Sequence, residues 1–308
     1  MSLPDYLDLG PGITPGVLRQ AFGDDLGITA TYAGIGDNDS AHCNAILSFV
    51  SDAKYVETAN ANPRIAAVFC LPDVTSSLRA DIAAVVVDDP KYYFFTLMDH
   101  LARHHHRAFP TAIGEGCAIS PSATIAQTSV RLGRNVTVEP GAYVAPGSLI
   151  DDDVVIRANA TVGVDGFQHQ RTRHGTVSPL HDGWLQVGRG TEIGYSASIS
   201  RGFSYRPTIL GEDVKIDALA YVAHGASVGS GSTVCTHSAI MGHANIGDRC
   251  WLGPGSIVTS RVRLGDDAKI TIGSVVTTDI PAGERYTGNF AMPHEQFIRD
   301  LKTRACRA

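Results

Sequence analysis

Residues 210–276 read LGEDVKIDALAYVAHGASVGSGSTVCTHSAIMGHANIGDRCWLGPGSIVTSRVRLGDDAKITIGSVV and carry a branched aliphatic side chain at every sixth position. The twelve positions are Leu210, Ile216, Val222, Val228, Val234, Ile240, Ile246, Leu252, Val258, Leu264, Ile270 and Val276. A period of six fits neither the 3.6-residue period of a helix nor the two-residue alternation of a simple strand. It is typical of short strands joined by tight corners, in which each strand points one aliphatic side chain inward.

A second period, of eighteen residues, accompanies the first. Every third aliphatic residue is followed by a glycine, at Gly211, Gly229, Gly247 and Gly265. Three strands would thus close one triangular coil, whose corner turns without a Cβ at every level. Parallel strands about 4.8 Å apart would then hydrogen-bond from coil to coil. A β-sandwich, which is the alternative, predicts irregular turn spacing and two-residue alternation.

The six-residue rhythm begins upstream of this stretch, directly after Phe109-Pro110, and is interrupted once. Nine positions precede the interruption and three follow it, so that 24 strands in eight coils are expected in all. The earlier positions, which include one-residue slips near Gln127 and Tyr205, are Ile113, Ile119, Ile125, Leu132, Val138, Val144, Ile150, Ile156, Val162, Val187, Ile193 and Ile199. The interruption, residues 163–186, is too polar to fill a coil interior, and long loops of this kind are usually functional.

The flanking segments follow other patterns. In residues 1–108, the apolar runs 66–70 and 82–87 predict buried strands, and residues 92–102 predict an amphipathic helix, which together indicate a small α/β domain. The solenoid is expected over residues 109–285, and a C-terminal helical extension over 286–308, with a helix from about Glu295 to Arg304. The predicted fold class is therefore mainly β, a parallel β-helix with a small α/β domain before it and a short helix after it.

Composition excludes several classes of protein. The 308-residue chain has a formal net charge of −6 and no dense Lys/Arg tract, which argues against a nucleic-acid-binding protein. No apolar run approaches the ~20 residues of a membrane span, and the N-terminus lacks the basic start of a signal peptide, so a soluble cytoplasmic protein is expected. The six cysteines form no CxxC pair and are expected to be buried small side chains in a reducing compartment.

Four short stretches carry a resemblance to a known family. They are LSFVSDAKY at 47–55, DGF at 165–167, the pair Ile216-Asp217 with Val222-Ala223-His224, and the closing Pro293-His294. Together with the repeat they resemble the UDP-3-O-acylglucosamine N-acyltransferases. The resemblance implies a left-handed β-helix, an exception to the right-handed crossover rule. It also implies a homotrimer whose active sites lie in grooves between neighbouring solenoids.

The same resemblance implies a reaction. The family transfers a 3-hydroxyacyl group from acyl carrier protein, where 4'-phosphopantetheine carries it, to the amine of a UDP-linked glucosamine in lipid A synthesis. No bound cofactor and no metal are expected. His224 matches the family's general base, a role that suits imidazole near neutral pH, and Asp217 matches the carboxylate thought to orient it. One coil of eighteen residues above His224 lies Gly242, whose backbone N–H is a plausible oxyanion donor.

Other residues are candidates for binding the substrates. Phe49 and Tyr55 match two family aromatics that sandwich the uracil ring, although packing in the core is the alternative. Asp52 stands where the family motif usually has an asparagine near the sugar. Arg261 replaces a family histidine and keeps a cation available for the diphosphate. His243 and Phe167 are candidates for contacts with the acyl donor.

The terminal helix predicts a docking site for an acidic carrier protein. Its cations are Arg299, Lys302, Arg304 and Arg307, against the two acids Glu295 and Asp300. A basic patch of this kind would raise the encounter rate with an acidic partner. A solvated helix end whose cations face the helix dipole is an equally good explanation.

Other functions remain open from the sequence. Ser200 and Ala218 depart from the family pattern, so an acyl-coenzyme A donor or another nucleotide-linked amino sugar is the main alternative. The γ-type carbonic anhydrases share the solenoid and bind zinc through histidines. His224, His237 and His243 could be proposed as such ligands, but their spacing does not resemble that family's. A non-catalytic scaffold is the third class.

Overall fold

The computed structural model describes residues 12–24, 26–105, 108–203, 205–288 and 293–305. The N-terminal part is a four-stranded parallel sheet in the order β1-β2-β3-β4, with helices on both faces. Its elements are α1 (Pro15–Phe22), β1 (Gly34–Ile35), β2 (Ile46–Val50), a 3₁₀ turn (Ala53–Tyr55), α2 (Val56–Ala61), β3 (Ile65–Cys70), a second 3₁₀ turn (Pro72–Ser77), β4 (Ala83–Val86) and α3 (Pro90–His104).

Helix α3 confirms the predicted helix and extends it at both ends. It begins at Pro90 because Asp89 is its N-cap, and the Asp89 carboxylate accepts a hydrogen bond from the Tyr92 backbone N–H at 3.3 Å. Its apolar face is buried and includes Phe94 and Leu97, both fully inaccessible to solvent. This face covers the sheet and joins it to α1 in one core.

Strand β4 differs from the prediction of a fully buried strand at residues 82–87. Ile82, Val85 and Val87 are buried, but the side chain of Val86 is 53% exposed. β4 is the last strand of the sheet order, so nothing in the sheet flanks its outer side. An unbroken apolar run is therefore not sufficient evidence that a strand is covered on both faces.

The solenoid consists of three parallel sheets, called here the first, second and third faces. The first face contains Ala112–Ile113, Val130–Leu132, Ser148–Ile150, Leu185–Val187, Thr208–Leu210, Ser227–Val228, Asn245–Ile246 and Arg263–Leu264. The second contains Ala118–Ile119, Thr137–Val138, Val155–Ile156, Glu192–Ile193, Lys215–Ile216, Thr233–Val234, Trp251–Leu252, Lys269–Ile270 and Arg285–Tyr286. The third contains Thr124–Ile125, Tyr143–Val144, Thr161–Val164, Ser198–Ser200, Tyr221–Val222, Ala239–Ile240, Ile257–Val258 and Val275–Val276.

These strands confirm the repeat analysis. The 24 predicted strands are all present, and Arg285–Tyr286 adds one more, pairing with Lys269–Ile270. All twelve aliphatic positions from Leu210 to Val276 are buried, with at most 5% of the side chain exposed. Three of the earlier positions are exceptions: Ile113 is 51% exposed, and Ile119 and Ile125 are only partly buried. All three lie in the first coil, which has no coil beneath it to cover the interior.

The glycine corners are explained by the close approach of successive coils. A Cβ added to Gly211 would lie 2.7 Å from the backbone nitrogen of Ser230 in the next coil. At Gly247 an added Cβ would lie 2.6 Å from the backbone nitrogen of Asp266. Such contacts would force the coils apart, which explains the glycines at this corner from Leu210 onward; Asp151, after Ile150, stands at the same corner of an earlier coil.

The loop at residues 163–186 crosses from the solenoid to α3. It contains an antiparallel hairpin of Gln170–Thr172 and Gly175–Val177. The carboxylate of Asp89 accepts a hydrogen bond from the Arg173 N–H at 2.6 Å, and that of Asp99 accepts one from the Leu180 N–H at 3.0 Å. The loop therefore anchors the N-terminal sheet domain on the solenoid, besides contributing to the site described below.

The C-terminal helix α4 spans His294–Ala305. Arg307 and Cys306 lie outside the described residues. Of the other cysteines, Cys70, Cys235 and Cys250 are buried, but Cys43 and Cys117 are only partly buried, so the expectation that all are buried is wrong for these two. Within the described ranges, none of the helices combines the length and the apolar character needed to cross a bilayer.

Candidate active site

A candidate site lies in a cavity of about 540 Å³ between the solenoid, the loop at residues 163–186, called here the crossing loop, and the N-terminal sheet domain. We call it the reaction cavity. Its size is in the range usual for small-molecule sites. It is lined by Asp37, Phe49, Phe95, Phe167, Gln168, Gln170, Tyr205, Tyr221, Ala223, His224, Met241, Gly242, His243, Ser260 and Arg261.

His224 lies at the corner between the third and first faces and is only 8% exposed. Its Nδ1 is buried and has no hydrogen-bond partner. Its Nε2 lies on the Gly242 side, 3.1 Å from where a Cβ on Gly242 would stand. Burial lowers the pKa of His224 below its usual 6.5. The imidazole is therefore neutral at neutral pH and able to accept a proton at Nε2.

Gly242 lies one coil above His224, as the eighteen-residue period predicts. Corner N–H groups between the first and second faces are capped: Asp248 Oδ1 accepts from the Ser230 N–H at 2.8 Å, and Asp266 Oδ1 from the Asp248 N–H at 3.0 Å. Among the described residues, the Gly242 N–H has no such acceptor. It is therefore available to a ligand in the reaction cavity.

Asp217 lies elsewhere in the same coil. It occupies the corner between the second and third faces, where its carboxylate accepts from the backbone N–H of Ala218 at 2.7 Å and of Thr236 at 3.1 Å. It is exposed and does not line the reaction cavity. Within one chain, therefore, Asp217 does not orient His224.

Two further histidines surround His224. The ring centroid of His224 lies 5.1 Å from that of His243 and 5.3 Å from that of His181. The His181 ring also stacks on the Phe203 ring, with 4.3 Å between the centroids. Burial lowers the pKa of His181 to about 4 and is the main cause that lowers that of His243 to about 3, so both are neutral at neutral pH. Sequence reasoning missed His181 because it lies in the crossing loop, which has no repeat to indicate its position.

The histidines proposed as zinc ligands do not converge within the chain. His237 lies at the corner between the second and third faces, where its Nδ1 is 2.8 Å from the hydroxyl of Thr236. His224 and His243 lie at a different corner. No group of three metal-ligating side chains with suitable geometry exists in the part of the chain that the structure describes.

A second cavity of about 370 Å³ adjoins the first, and we call it the sheet-domain cavity. It is lined by Asp37, Asn38, Asp39, Phe49, Ser51, Tyr55, Thr58, Lys91 and Arg261. Asp37, Phe49 and Arg261 line both cavities. A ligand longer than one cavity could therefore extend from the sheet domain to His224.

The two predicted uracil-stacking residues both line the sheet-domain cavity. Tyr55 is 43% exposed and is available to a ligand. Phe49 is partly buried, with its ring 4.5 Å from that of Phe94, so it contributes to the core as well as to both cavities. Asp52 is exposed and caps the adjacent 3₁₀ turn by accepting from the Lys54 N–H at 3.0 Å, and it lines neither cavity.

The shared wall of the two cavities is rich in charge. Arg261 forms ion pairs with Asp37 at 3.3 Å and Asp39 at 3.6 Å, and Arg206 pairs with Asp39 at 2.7 Å. Burial raises the pKa of Asp37, although Arg261 and Arg206 oppose the shift. The position of Arg261 could be predicted from the eighteen-residue coil count. The positions of its three charged neighbours could not, because these residues come from irregular segments that meet only in the folded chain.

The remaining candidates lie at the periphery. Phe167 is 81% exposed at the mouth of the reaction cavity, where the crossing loop passes His224. Arg299 and Lys302 are exposed on α4 and line neither cavity. Their proposed contact with a carrier protein thus concerns the outer surface.

Comparison with known proteins agrees with this architecture. Two family models match: Bacterial transferase hexapeptide (six repeats) at residues 129–163, and Hexapeptide repeat of succinyl-transferase at residues 244–278. A solved structure of a UDP-N-acetylglucosamine acyltransferase from Campylobacter jejuni, 19% identical, superposes with a TM-score of 0.53 over 62% of this chain and 78% of that one. This likeness supports the expected left-handed β-helix.

Sequence relatives are more specific. A UDP-3-O-acylglucosamine N-acyltransferase from Bordetella pertussis is 30% identical, over 87% of this chain and 83% of the relative. One from Methylobacterium nodulans is 33% identical over 51% of this chain and 44% of the relative. The first match spans both the sheet domain and the solenoid, and the chain belongs to the UDP-3-O-acylglucosamine N-acyltransferase family.

Proposed function

We propose that this protein transfers an acyl group from a 4'-phosphopantetheine thioester to the amine of a UDP-linked amino sugar. The observation that carries the proposal is the position of His224 and Gly242 in one cavity that continues, past Arg261 and Phe49, into a second cavity with Tyr55 on its wall. Amide formation needs a base and an oxyanion donor, and nucleotide binding needs a flat apolar surface and a cation.

The chemistry follows from these positions. Nε2 of neutral His224 removes a proton from the amine as its nitrogen bonds to the thioester carbonyl carbon. The carbonyl oxygen becomes an oxyanion and accepts a hydrogen bond from the Gly242 N–H. The carbonyl then re-forms, the C–S bond breaks, and the imidazolium of His224 gives its proton to the leaving thiolate. The products are an amide and a free thiol, and His224 returns to its neutral form.

The nucleotide is assigned to the sheet-domain cavity. The uracil ring stacks with Tyr55 and Phe49, and the diphosphate takes Arg261 and Lys91 as its cations. Because Arg261 already pairs with Asp37 and Asp39, the phosphates must compete with these carboxylates. The acyl donor enters past Phe167 and His243, and Arg299 and Lys302 guide an acidic carrier protein to the surface.

The active unit that we propose is a homotrimer. Five large apolar side chains are exposed on and beside the edge between the second and third faces, which we call the apolar edge: Tyr195, Leu219, Trp251, Ile272 and Val275. Such a patch indicates an interface. Asp217 lies on the same edge, so contact with a neighbouring copy can bring it near that copy's His224. The predicted cytoplasmic location stays a prediction.

The proposal is tested by a substrate panel. Purified protein is incubated with UDP-, dTDP- and GDP-linked amino sugars, with each acyl group supplied on carrier protein and on coenzyme A, and products are identified by mass spectrometry. We expect N-acylation of a UDP-linked sugar with a 3-hydroxyacyl carrier-protein donor. If the protein prefers acyl-coenzyme A, the assignment of the carrier-protein donor is wrong. If it prefers another nucleotide, the assignment of the UDP-linked sugar is wrong. No acylated product from any pair would reject acyl transfer.

A mixing experiment tests the trimer. His224→Ala and Asp217→Asn each remove one member of the proposed pair. If the pair forms between copies, mixed trimers of the two variants contain some sites with both native residues and regain activity. If mixing restores nothing while both variants remain trimeric by analytical ultracentrifugation, the pairing between copies is rejected.

A further inference from the structure

His181 lies beside the buried side of His224, with its ring centroid 5.3 Å from that of His224. Its side chain is 2% exposed, and neither of its ring nitrogens has a hydrogen-bond partner. Two unpaired nitrogens in a buried ring are costly, because a buried polar group without a partner loses about 1–3 kcal/mol. Such a buried polar group calls for an explanation, and a role in a functional site is one explanation.

The crossing loop holds Nε2 of His181 close to His224. A Cβ added to Gly166 would lie 2.7 Å from His224 Nδ1 and 3.1 Å from His181 Nε2. Both unpaired nitrogens therefore face the same small space beside the Gly166 backbone. The absence of a side chain at Gly166 keeps this space open for a direct hydrogen bond or for one bridging water.

The two faces of the His224 ring have different requirements. For Nε2 to take a proton from the amine, the ring hydrogen of neutral His224 must be on Nδ1, and this Nδ1–H needs an acceptor. In the well-known triads a carboxylate is that acceptor. Asp217 of the same chain lies at another corner, and a carboxylate from a neighbouring copy could approach only the open side of the ring, because Nδ1 is buried beside Gly166.

We propose that His181 is a positioning residue that accepts the Nδ1–H of His224, directly or through one water, and so holds the base in its reactive tautomer. The inference rests on the proposed acyl transfer and adds to it a second imidazole. His181 gains and loses no proton in the reaction. It steadies the imidazolium that His224 becomes for the duration of the transfer.

The charged groups around the pair are consistent with this role. Asp165 favours the protonated form of His181, whereas Arg201 and His169 oppose it, and burial outweighs all three. Asp165 is itself paired with Arg201 at 2.8 Å. On the far side of His224 lies the neutral ring of His243. His181 therefore stays neutral and can act as an acceptor at neutral pH.

Two substitutions separate positioning from packing. His181→Phe keeps a ring that can stack on Phe203 but has no nitrogen, and His181→Gln keeps a polar atom near the place of Nε2. We expect His181→Phe to lower kcat roughly 10-fold, a part of the ~10²–10⁴ that a general base contributes. KM for the sugar nucleotide should not change, and His181→Gln should restore most of kcat.

The pH profile gives a readout that packing does not move. Loss of the acceptor disfavours the imidazolium, so the acid limb of kcat/KM for His181→Phe should move to lower pH. In a His224→Ala background His181→Phe should have no further effect on the residual rate. Equal kcat for wild type and His181→Phe, or an unmoved acid limb with His181→Gln as impaired as His181→Phe, would overturn the proposal.

A spectroscopic measurement keeps the test independent of activity. In ¹⁵N-histidine-labelled wild-type protein, His224 should show the Nδ1–H tautomer, and His181→Phe should shift it towards a mixture. If the wild type acylates no substrate, the proposed function fails while the tautomer result still decides the role of His181. An Nε2–H tautomer in the wild type would contradict the positioning role.

Discussion

Replacement of His224 by alanine should separate catalysis from stability, and the structure allows both effects to be estimated. The truncation of a large core side chain commonly costs about 2–5 kcal/mol, because it leaves an empty hole. Here the imidazole borders a cavity of about 540 Å³, so water can enter the vacated space. The change also removes the buried Nδ1, a kind of polar group that costs about 1–3 kcal/mol wherever it is not fully paired.

These opposing effects leave a small net change in the free energy of unfolding, within about 1–2 kcal/mol, and the midpoint of thermal unfolding should move by only a few degrees. Turnover, in contrast, should fall by ~10²–10⁴, because the base is lost. The assay is single-turnover acylation at saturating sugar nucleotide, with thermal unfolding and sedimentation on the same samples.

His104→Ala is a control, since it removes an exposed imidazole at the end of α3, outside both cavities and away from the apolar edge. It should keep nearly full turnover. A His224→Ala protein that is folded and retains more than about a tenth of wild-type turnover would refute the assignment of His224 as the base.

Four further outcomes can be measured. Tyr55→Ala should weaken binding of the sugar nucleotide by about 1 kcal/mol with little effect on unfolding, whereas Phe49→Ala should weaken both, since Phe49 also packs on Phe94; unchanged affinity in calorimetry would return both residues to a packing role. Arg261→Gln should raise KM for the sugar nucleotide more than it lowers kcat; the reverse pattern would contradict phosphate binding. Reversal of Arg299 and Lys302 to Glu should slow the reaction with carrier protein but not with coenzyme A, and the wild-type rate with carrier protein should fall as salt rises; equal rates with carrier protein would exclude docking on α4. His181 and His243, with pKa values of about 4 and about 3, are neutral in the folded state, whereas in the unfolded chain they titrate near 6.5. The free energy of unfolding should therefore be constant above about pH 6.5 and fall by a few kcal/mol towards pH 4. A denaturation midpoint that does not change between pH 7.5 and 4.5 would contradict this.

The crossing loop shows where inference from the sequence reached its limit. Its polarity and length indicated a functional insertion, and the resemblance carried by the DGF stretch made Phe167 a candidate for contacts with the acyl donor. Neither feature showed that the ring centroid of His181 would lie 5.3 Å from that of His224, or that Asp89 and Asp99 would hold the loop on α3. These contacts join residues far apart in a segment without a period.

The acidic partners of the arginines are a second example. Counting one coil of eighteen residues from His243 leads to Arg261, and in the structure the Arg261 N–H donates to the Gly242 carbonyl of the coil below. Asp37 and Asp39 come from a loop of the sheet domain, and they reach Arg261 only because that domain packs against the solenoid. The charges around a diphosphate bound at the shared wall of the two cavities therefore could not be predicted from the repeat.

The sequence by itself determined the solenoid, its inward residues and the position of Gly242 one coil above His224. The physical reason is that a strict period turns residue number into position: one coil takes eighteen residues and raises the chain by one strand spacing. Only the tertiary structure decided that Asp217 and His224 occupy different corners, that two cavities share one wall, and that His181 faces the base. These features depend on how an irregular loop and a separate sheet pack on the regular coil, and no local pattern encodes such long-range contacts.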